Sequence, residues 1–268
     1  MKSTLTRLLV ATIALIALFL TSSVMTKAEA NTKVNTKAHT TEANALPDWT
    51  KLDKILDDAI ASKAFPGCVA LVADEKGPLY VRAKGHNIYP GSSRDIPLRN
   101  VDMDTLFDMA SVTKVLMSTS AMALLYQNGY ISSLELRVSQ FFPEFAQNGK
   151  ETITLAHLLL HNSGLNAGPN VGFSSAKFGC PETSKKHPEL AFSCLTQIFE
   201  ATMAQKLVNP IGAKYVYSDL SMITLKYVIG LVAKRNQLVN YGDLLPQCIE
   251  ADASDNGKLV CYYEAFVR

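Results

Sequence analysis

A serine and a lysine stand three residues apart in the stretch FDMASVTKVLMS, residues 107–118. In an α-helix, residues i and i+3 lie on one face, so the side chain of Lys114 can reach the hydroxyl of Ser111. A serine hydroxyl is a poor nucleophile until a base removes its proton, and a lysine serves as that base only when its pKa falls well below about 10.4. The spacing therefore raises the hypothesis of a serine nucleophile beside its base.

The sequence around this pair favours that hypothesis. The neighbouring residues are apolar or small and predict a desolvated setting for the lysine: Met109, Ala110, Val112, Val115 and Leu116. A serine in the first turn of a helix also faces the positive end of the helix dipole, which favours an oxyanion beside its backbone N–H. The alternative is an ordinary helix start, with Ser111 as a cap and Lys114 in solvent, because Ser-x-x-Lys also occurs by chance in chains of this size.

Two downstream stretches decide between these interpretations. HLLLHNSGL at 157–165 and AKYVYSDLSMITLKYVIG at 213–230 follow FDMASVTK in that order. Together the three stretches resemble the serine β-lactamase-like and penicillin-binding protein family, most closely its class C β-lactamase, esterase and D-alanyl-D-alanine peptidase branch. The resemblance covers roughly residues 50–268 and favours a catalytic interpretation.

The resemblance implies a role for each matched residue. Ser111 is the expected nucleophile, and Lys114 and Tyr217 are expected to share the role of base. The family's second motif, Tyr-x-Asn, falls on Tyr-Ser-Asp at 217–219, so Asp219 is the expected substrate-binding residue. Aspartate in place of asparagine departs from the main pattern and is seen in esterase-like members. The His-x-Ser-Gly-Leu stretch matches a structural loop, so His157 and His161 are interpreted as structural.

The implied function is an exported serine hydrolase that forms an acyl-enzyme with an ester, amide or lactam carbonyl, without a metal or cofactor. Its partner would be a small-molecule or peptide substrate. One alternative is a D-alanyl-D-alanine peptidase-like enzyme. Another is a non-catalytic binding or assembly relative, which the absence of a Lys-Thr-Gly or His-x-Gly motif after Tyr217 favours. That absence also predicts a C-terminally truncated family member with an incomplete sheet and weak or no activity.

The elements that must position these residues follow from hydrophobic periodicity. Helical spacing in PDWTKLDKILDDAIASKAF precedes a β-hairpin at 66–86. The remainder of the sequence predicts four helices and one loop. The helices run from Ser111 to the Asn-Gly cap at 128–129, within ITLAHLLLHNSGL, over 190–207 and over 220–233. A long surface loop is predicted at 166–188. The expected fold is α/β of the α+β type, a β-lactamase-like antiparallel sheet flanked by helices plus a helical subdomain.

Composition and net charge limit the classes of protein to which the chain can belong. The chain has 268 residues, of which 48% are hydrophobic, so it can build a sizeable core. The net charge of +2 and the lack of a clustered basic stretch argue against nucleic-acid binding. We expect residues 31–46 to be a flexible linker and residues 47–268 to form the β-lactamase-related domain.

The N-terminus has the pattern of an export signal. Lys2 and Arg7 precede an apolar run at 8–20, and Ala-Glu-Ala at 28–30 fits a signal-peptidase site. The apolar run is shorter than the roughly 20 residues that span a bilayer. Residues 1–30 are therefore predicted to be a cleaved signal peptide, with an uncleaved membrane anchor as the alternative. The protein would then be extracellular, periplasmic or in the lumen of the secretory pathway.

Five cysteines in an exported chain leave one unpaired if the others form bridges. Cys68 lies in the predicted hairpin and is the candidate for the free thiol. The plausible pairs are Cys180 with Cys194 and Cys248 with Cys261, although four cysteines allow three connectivities.

Export predicts a defined mature N-terminus. N-terminal sequencing of the secreted protein should begin at Asn31, because signal peptidase cuts after the small-x-small pattern. Recovery of the chain in the membrane fraction with Met1 still attached would reject cleavage.

Overall fold

The computed structural model describes three ranges, 47–92, 96–169 and 194–268. The chain divides into two compact units at residue 108. The hairpin unit comprises the described residues up to Asp108, and the helical unit comprises those from Met109 onward. The predicted signal peptide, the predicted linker and most of the predicted loop at 166–188 lie outside the described residues.

The hairpin unit contains one helix and two antiparallel strands: α1 (Thr50–Ala61), β1 (Gly67–Asp74) and β2 (Gly77–Gly85). The strands are joined by a tight turn, in which the carboxylate of Asp74 accepts a hydrogen bond from the backbone N–H of Lys76 (2.8 Å). This aspartate turn has the local geometry that links short antiparallel strands. The hairpin predicted from the sequence is confirmed.

Polar and aromatic contacts hold α1 against the hairpin. Tyr80 on β2 is almost fully buried, its ring lies 5.2 Å from that of Trp49, and its hydroxyl donates to Asp53 (2.9 Å). Lys84 on the same strand forms ion pairs with Asp53 (3.1 Å) and Asp57 (2.9 Å). The helix is therefore held to the strand by an aromatic contact and a small charge network.

The helical unit consists of short helices around one long one. Its elements are a π-helical turn (Lys114–Thr119), α2 (Ser120–Gln127), α3 (Leu155–Leu159), α4 (Leu195–Met203), α5 (Asp219–Arg235), α6 (Pro246–Glu250) and α7 (Leu259–Val267), with 3₁₀ turns at Val138–Gln140, Pro143–Gly149 and Tyr241–Asp243. The helix predicted at 220–233 is confirmed as α5. The helix predicted at 190–207 is shorter in the structure, where α4 ends at Met203.

The long helix α5 forms the centre of the core of this unit. Its fully buried side chains include the apolar or aromatic residues Leu220, Leu225, Tyr227, Val228 and Ile229. Helix α7 crosses α5 at Gly230, where a Cβ atom would lie 2.0 Å from the carbonyl oxygen of Leu259. Any side chain at 230 would force the two helices apart, so the glycine permits their close approach.

The cysteines follow the expected pattern where they are described. Cys248 and Cys261 form a disulfide that joins α6 to α7, with 6.0 Å between their Cα atoms. Among the described residues, Cys68 is a free cysteine, as predicted. Cys194 is disulfide-bonded. Its expected partner, Cys180, lies outside the described residues, so that pairing stays a prediction.

The predicted fold class is confirmed: helices accompany an antiparallel sheet, which has two strands in the described residues and is not closed. Within the described ranges, no helix is long and apolar enough to cross a membrane.

A lysine lies fully buried in the helical unit. The ammonium of Lys150 donates hydrogen bonds to the carbonyls of Met203 (2.9 Å) and Gln205, and it lies 4.9 Å from the ring centroid of Phe145. Burial lowers the pKa of this lysine to about 8. The side chain satisfies two carbonyls at the end of α4, a role that a neutral amine with two N–H donors could also perform.

We predict that Lys150→Met lowers the free energy of unfolding by about 1–3 kcal/mol, because methionine keeps the apolar stem but leaves two carbonyls without their donor. Chemical denaturation measures the change, and Lys206→Met at an exposed site is the control, with an expected change within about 0.5 kcal/mol. Equal stabilities of the two variants would show that the buried hydrogen bonds do not hold the end of α4.

Candidate active site

The serine of the Ser-x-x-Lys motif lies directly before the first helical turn of its segment. The residue before it, Ala110, has a φ of 42°, in the left-handed region that a non-glycine residue rarely adopts. The backbone N–H of Lys114 bonds to the carbonyl of Ser111 (3.1 Å), which closes one turn between them. Backbone strain of this kind clusters at functional sites.

The turn that carries Lys114 is π-helical, whereas the sequence predicts an ordinary α-helix. The hydroxyl of Thr119 donates to the carbonyl of Lys114 (3.0 Å), and that of Ser120 donates to Val115 (3.1 Å). Both bonds reach back five residues, which is the spacing of a π-helix. The hydroxyl of Ser118 also bonds to that of Tyr263 on α7 (2.8 Å). These contacts accompany the wider turn.

The ammonium of Lys114 lies among three other groups of the motif residues. Its Nζ donates to Oγ of Ser111 (3.0 Å), forms an ion pair with Oδ1 of Asp219 (2.7 Å) and lies 5.0 Å from the ring centroid of Tyr217. Burial acts to lower the pKa of Lys114, but hydrogen bonds with Asp219 and Tyr217 outweigh it and raise the pKa above its ordinary value. Lys114 is therefore a cation at neutral pH.

The expectation of a lowered lysine pKa is wrong, although desolvation does act on Lys114, whose side chain is 19% exposed. The apolar neighbours predicted to enclose it face solvent instead: Met109 and Val112 are 49% exposed, and Val115 and Leu116 are 48% exposed. Asp219, by contrast, stabilises the charge directly.

The pKa of Tyr217 shifts in the opposite direction to that of Lys114. Hydrogen bonds with Lys114 first, and with Ser111, lower the pKa of the Tyr217 phenol. A cation beside a phenol favours the phenolate, and the phenolate oxygen can accept the proton of the serine hydroxyl. Tyr215, two residues earlier, is 66% exposed, and the segment 213–218 is not a strand. Of the two tyrosines, Tyr217 is the one that contacts Lys114 and Ser111.

A loop after α3 positions Tyr217 and Asp219. The hydroxyl of Ser218 donates to the carbonyl of Asn166 (2.7 Å), and the backbone N–H of Asp219 donates to that of Ala167 (2.7 Å). The same hydroxyl accepts a hydrogen bond from the N–H of Ser221 (3.1 Å) and so caps α5. The segment that carries the phenol and the carboxylate is thus tied to the loop and to the helix start.

Gly164 of the His-x-Ser-Gly-Leu stretch shows why this loop needs a glycine. Its φ is +82°, and a Cβ atom would lie 2.4 Å from the carbonyl oxygen of Asn209. Its own carbonyl accepts hydrogen bonds from the N–H groups of Val208 (2.9 Å) and Asn209 (3.3 Å). The loop therefore packs directly against the 207–209 backbone.

The two histidines of this stretch lie in different environments. His157 contacts Thr154 through Nδ1 and caps α3, consistent with a structural role. His161 lies in the site: its Nδ1 accepts a hydrogen bond from the N–H of Ser218 (3.0 Å), and its ring centroid lies 4.8 Å from that of Tyr217. Sequence reasoning treated both as structural. A histidine at a helix end, where glycine is usual, was the available signal for His161.

The structure brings together all four residues predicted for the site, Ser111, Lys114, Tyr217 and Asp219, within one unit. In this arrangement the Asp219 carboxylate pairs with Lys114, and its predicted contact with substrate stays a prediction, as do the catalytic roles. In the described ranges, no group of three or more histidine, cysteine, aspartate or glutamate residues is placed to hold a metal ion.

Comparison with known proteins places the chain in a family. The family model described as Beta-lactamase matches residues 52–245, which is more than half of the chain. The chain belongs to the β-lactamase family, in its serine β-lactamase-like group.

Two curated relatives share this similarity. Esterase EstB of Burkholderia gladioli is 34% identical over 119 residues, which are 43% of this chain and 28% of the esterase. An N-acetylmuramyl-L-alanine amidase of Bacillus subtilis (strain 168) is 28% identical over 190 residues, which are 67% of this chain and 40% of the amidase. The chain spans less than half the length of either relative.

Two solved structures have a similar fold. EstCE1, described as a hydrolase with promiscuous acyltransferase activity, aligns with a TM-score of 0.52 at 23% identity, over 69% of this chain and 46% of that one. The octameric penicillin-binding protein homologue from Pyrococcus abyssi aligns with a TM-score of 0.50 at 20% identity, over 70% and 40% of the two chains. At identities this low, the similarity shows a shared fold and nothing further.

Proposed function

We propose that this protein is an exported serine hydrolase that acts on a carboxylic ester through an acyl-enzyme. The observation that carries the proposal is the contact of Ser111 with Lys114 and Tyr217, in which the lysine remains charged and the phenol has a lowered pKa. A nucleophile within hydrogen-bond reach of its base is the arrangement that covalent catalysis requires.

Acylation starts with transfer of the Ser111 proton to the phenolate of Tyr217. The serine Oγ then forms a bond to the substrate carbonyl carbon, and the carbonyl oxygen takes the negative charge. When the tetrahedral intermediate collapses, the bond to the leaving alcohol breaks, and the Tyr217 hydroxyl returns the proton to the departing oxygen. Lys114 keeps its proton throughout and stabilises the phenolate.

Deacylation repeats the same transfers with water. The phenolate of Tyr217 takes a proton from a water molecule, whose oxygen attacks the acyl carbon. Collapse of the second intermediate breaks the bond to the Oγ of Ser111, which regains its proton from Tyr217. The products are a carboxylic acid and the free serine, so the site is restored.

The charge of Asp219 favours an uncharged ester as substrate. Its carboxylate forms an ion pair with Lys114 (2.7 Å) and so offsets the positive charge that would otherwise attract an anion. A substrate that carries its own carboxylate, such as a penicillin or a D-alanyl-D-alanine peptide, would therefore gain little from Lys114. The printed names of the esterase and of the acyltransferase-active hydrolase support the same class.

The second candidate is a D-alanyl-D-alanine peptidase-like activity. It is favoured by the similarity to an amidase and to a penicillin-binding protein homologue. A non-catalytic binding or assembly role is the third candidate, but a pure scaffold would not require Ser111, Lys114 and Tyr217 to lie in contact. Export rests on the basic and apolar start of the sequence and on the Ala-Glu-Ala at 28–30.

We predict that a fluorophosphonate labels Ser111, and that Ser111→Ala abolishes the labelling because it removes the nucleophile. Mass spectrometry of the labelled peptide identifies the residue. Ser120→Ala is the matched control, since this hydroxyl lies on the same helical segment and bonds to the carbonyl of Val115. The control should label at no less than about a tenth of the wild-type rate.

Three outcomes would contradict the proposal. Undiminished labelling of the Ser111→Ala protein would place the nucleophile elsewhere. Faster reaction with a fluorescent penicillin than with a neutral ester would favour the peptidase-like candidate over the esterase. Absence of reaction with both reagents would favour a binding role.

A further inference from the structure

His161 occupies a backbone position that most residues avoid. At the end of α3, the N–H of His161 bonds to the carbonyl of Leu158 (3.3 Å), and the N–H of Asn162 bonds to that of His157 (3.1 Å). These two bonds form a Schellman motif, whose left-handed residue is usually glycine. Here the left-handed residue is His161, with a φ of 54°. A side chain is therefore present where glycine would be less strained.

His161 holds both backbone amides that flank Tyr217. Its carbonyl oxygen accepts a hydrogen bond from the N–H of Val216 (2.8 Å), and its ring Nδ1 accepts one from the N–H of Ser218 (3.0 Å). Since one residue binds the backbone on each side of Tyr217, the tyrosine cannot shift along the chain without breaking one of these bonds. Ser218 itself is fully buried, so its N–H has no access to water as a substitute.

The imidazole ring also contacts the phenol ring. The two ring centroids are 4.8 Å apart with an interplanar angle of 37°. The ring of Tyr215 meets the same imidazole edge-on at 5.8 Å. Packing of this kind limits rotation of the Tyr217 side chain, whose oxygen must reach Ser111.

We propose that His161 is the positioning residue for the phenol: its carbonyl and unprotonated Nδ1 fix the backbone of Tyr217, and its ring supports the side chain. The proposal deepens the proposed function and rests on Tyr217 as the base. An Nδ1 that accepts a hydrogen bond requires a neutral imidazole with its proton on Nε2. Burial, and then the charge of Lys114, lower the pKa of His161, whereas Asp219 acts in the opposite direction.

Two substitutions separate this role from a merely structural one. His161→Asn keeps an acceptor at the δ position and tolerates a positive φ. His161→Gly suits the left-handed backbone best but removes the acceptor and the ring. A residue needed only to end α3 would be replaced by glycine at least as well as by asparagine.

We expect His161→Gly to slow phosphonylation of Ser111 by a fluorophosphonate by about 10²-fold, the loss that a small misplacement of a reacting group can cause. Labelling of the His161→Asn protein should be about tenfold faster than labelling of the His161→Gly protein. Equal rates for the two variants, or a faster glycine variant, would overturn the proposal.

Two measurements that do not depend on enzyme activity distinguish failure of this proposal from failure of the proposed function. Long-range ¹H–¹⁵N spectra of the wild-type protein should show His161 unprotonated at Nδ1 at pH 7, and a protonated Nδ1 would overturn the proposal. Hydrogen exchange of the Ser218 amide should accelerate in His161→Gly more than in His161→Asn. His157→Ala, which alters the start of α3, should leave exchange at Ser218 unchanged. If Ser111 fails to label while these results hold, the proposed function fails and the positioning of Tyr217 stands.

Discussion

The candidate site depends on the charge of one lysine. Lys114 contacts the serine hydroxyl, the phenol and the Asp219 carboxylate, and the carboxylate ensures that the lysine keeps its proton. A lysine whose pKa is raised holds its proton at neutral pH, so in the proposed mechanism it does not take the proton of Ser111. It can, however, make a neighbouring phenol more acidic, and Tyr217 is the phenol that it contacts. The proposed division of roles, with Lys114 as the cation and Tyr217 as the base, rests on this electrostatic arrangement.

Other parts of the helical unit hold these groups in position. Ser218 caps α5 and bonds to the loop after α3, so the start of the longest helix and the loop fix the Tyr-Ser-Asp segment between them. The π-helical turn carries the other half of the site, since Lys114 is its first residue. Close packing of α5 against α7 at Gly230 completes the support.

Local patterns in the sequence were sufficient for part of this arrangement. The spacing of Ser111 and Lys114 predicts their contact, the periodicity predicts α5, and the closeness of Cys248 and Cys261 in the chain made their pairing plausible. Tyr217 and Asp219 were found through the motif resemblance, since nothing in their local pattern shows that they approach Lys114.

The features that sequence reasoning missed depend on distant partners. The π-helical turn is tied to Tyr263, which lies 145 residues further along the chain, and His161 binds the amide of Ser218, 57 residues away. The buried ammonium of Lys150 likewise bonds to carbonyls more than 50 residues distant. Such contacts leave no periodic signal, because they are set by tertiary packing.

The pKa of Tyr217 tests the account most directly. In protein labelled with ¹³Cζ-tyrosine, the resonance that disappears in Tyr217→Phe should titrate below the ordinary tyrosine value, so the phenolate fraction rises as pH increases through this lowered pKa. Lys114→Met should raise that pKa, because it removes the hydrogen bond and the charge that favour the phenolate. Lys206→Met, at an exposed lysine, should leave it unchanged. A Tyr217 pKa that stays the same when Lys114 is replaced would contradict the claim that this lysine makes the phenol the base.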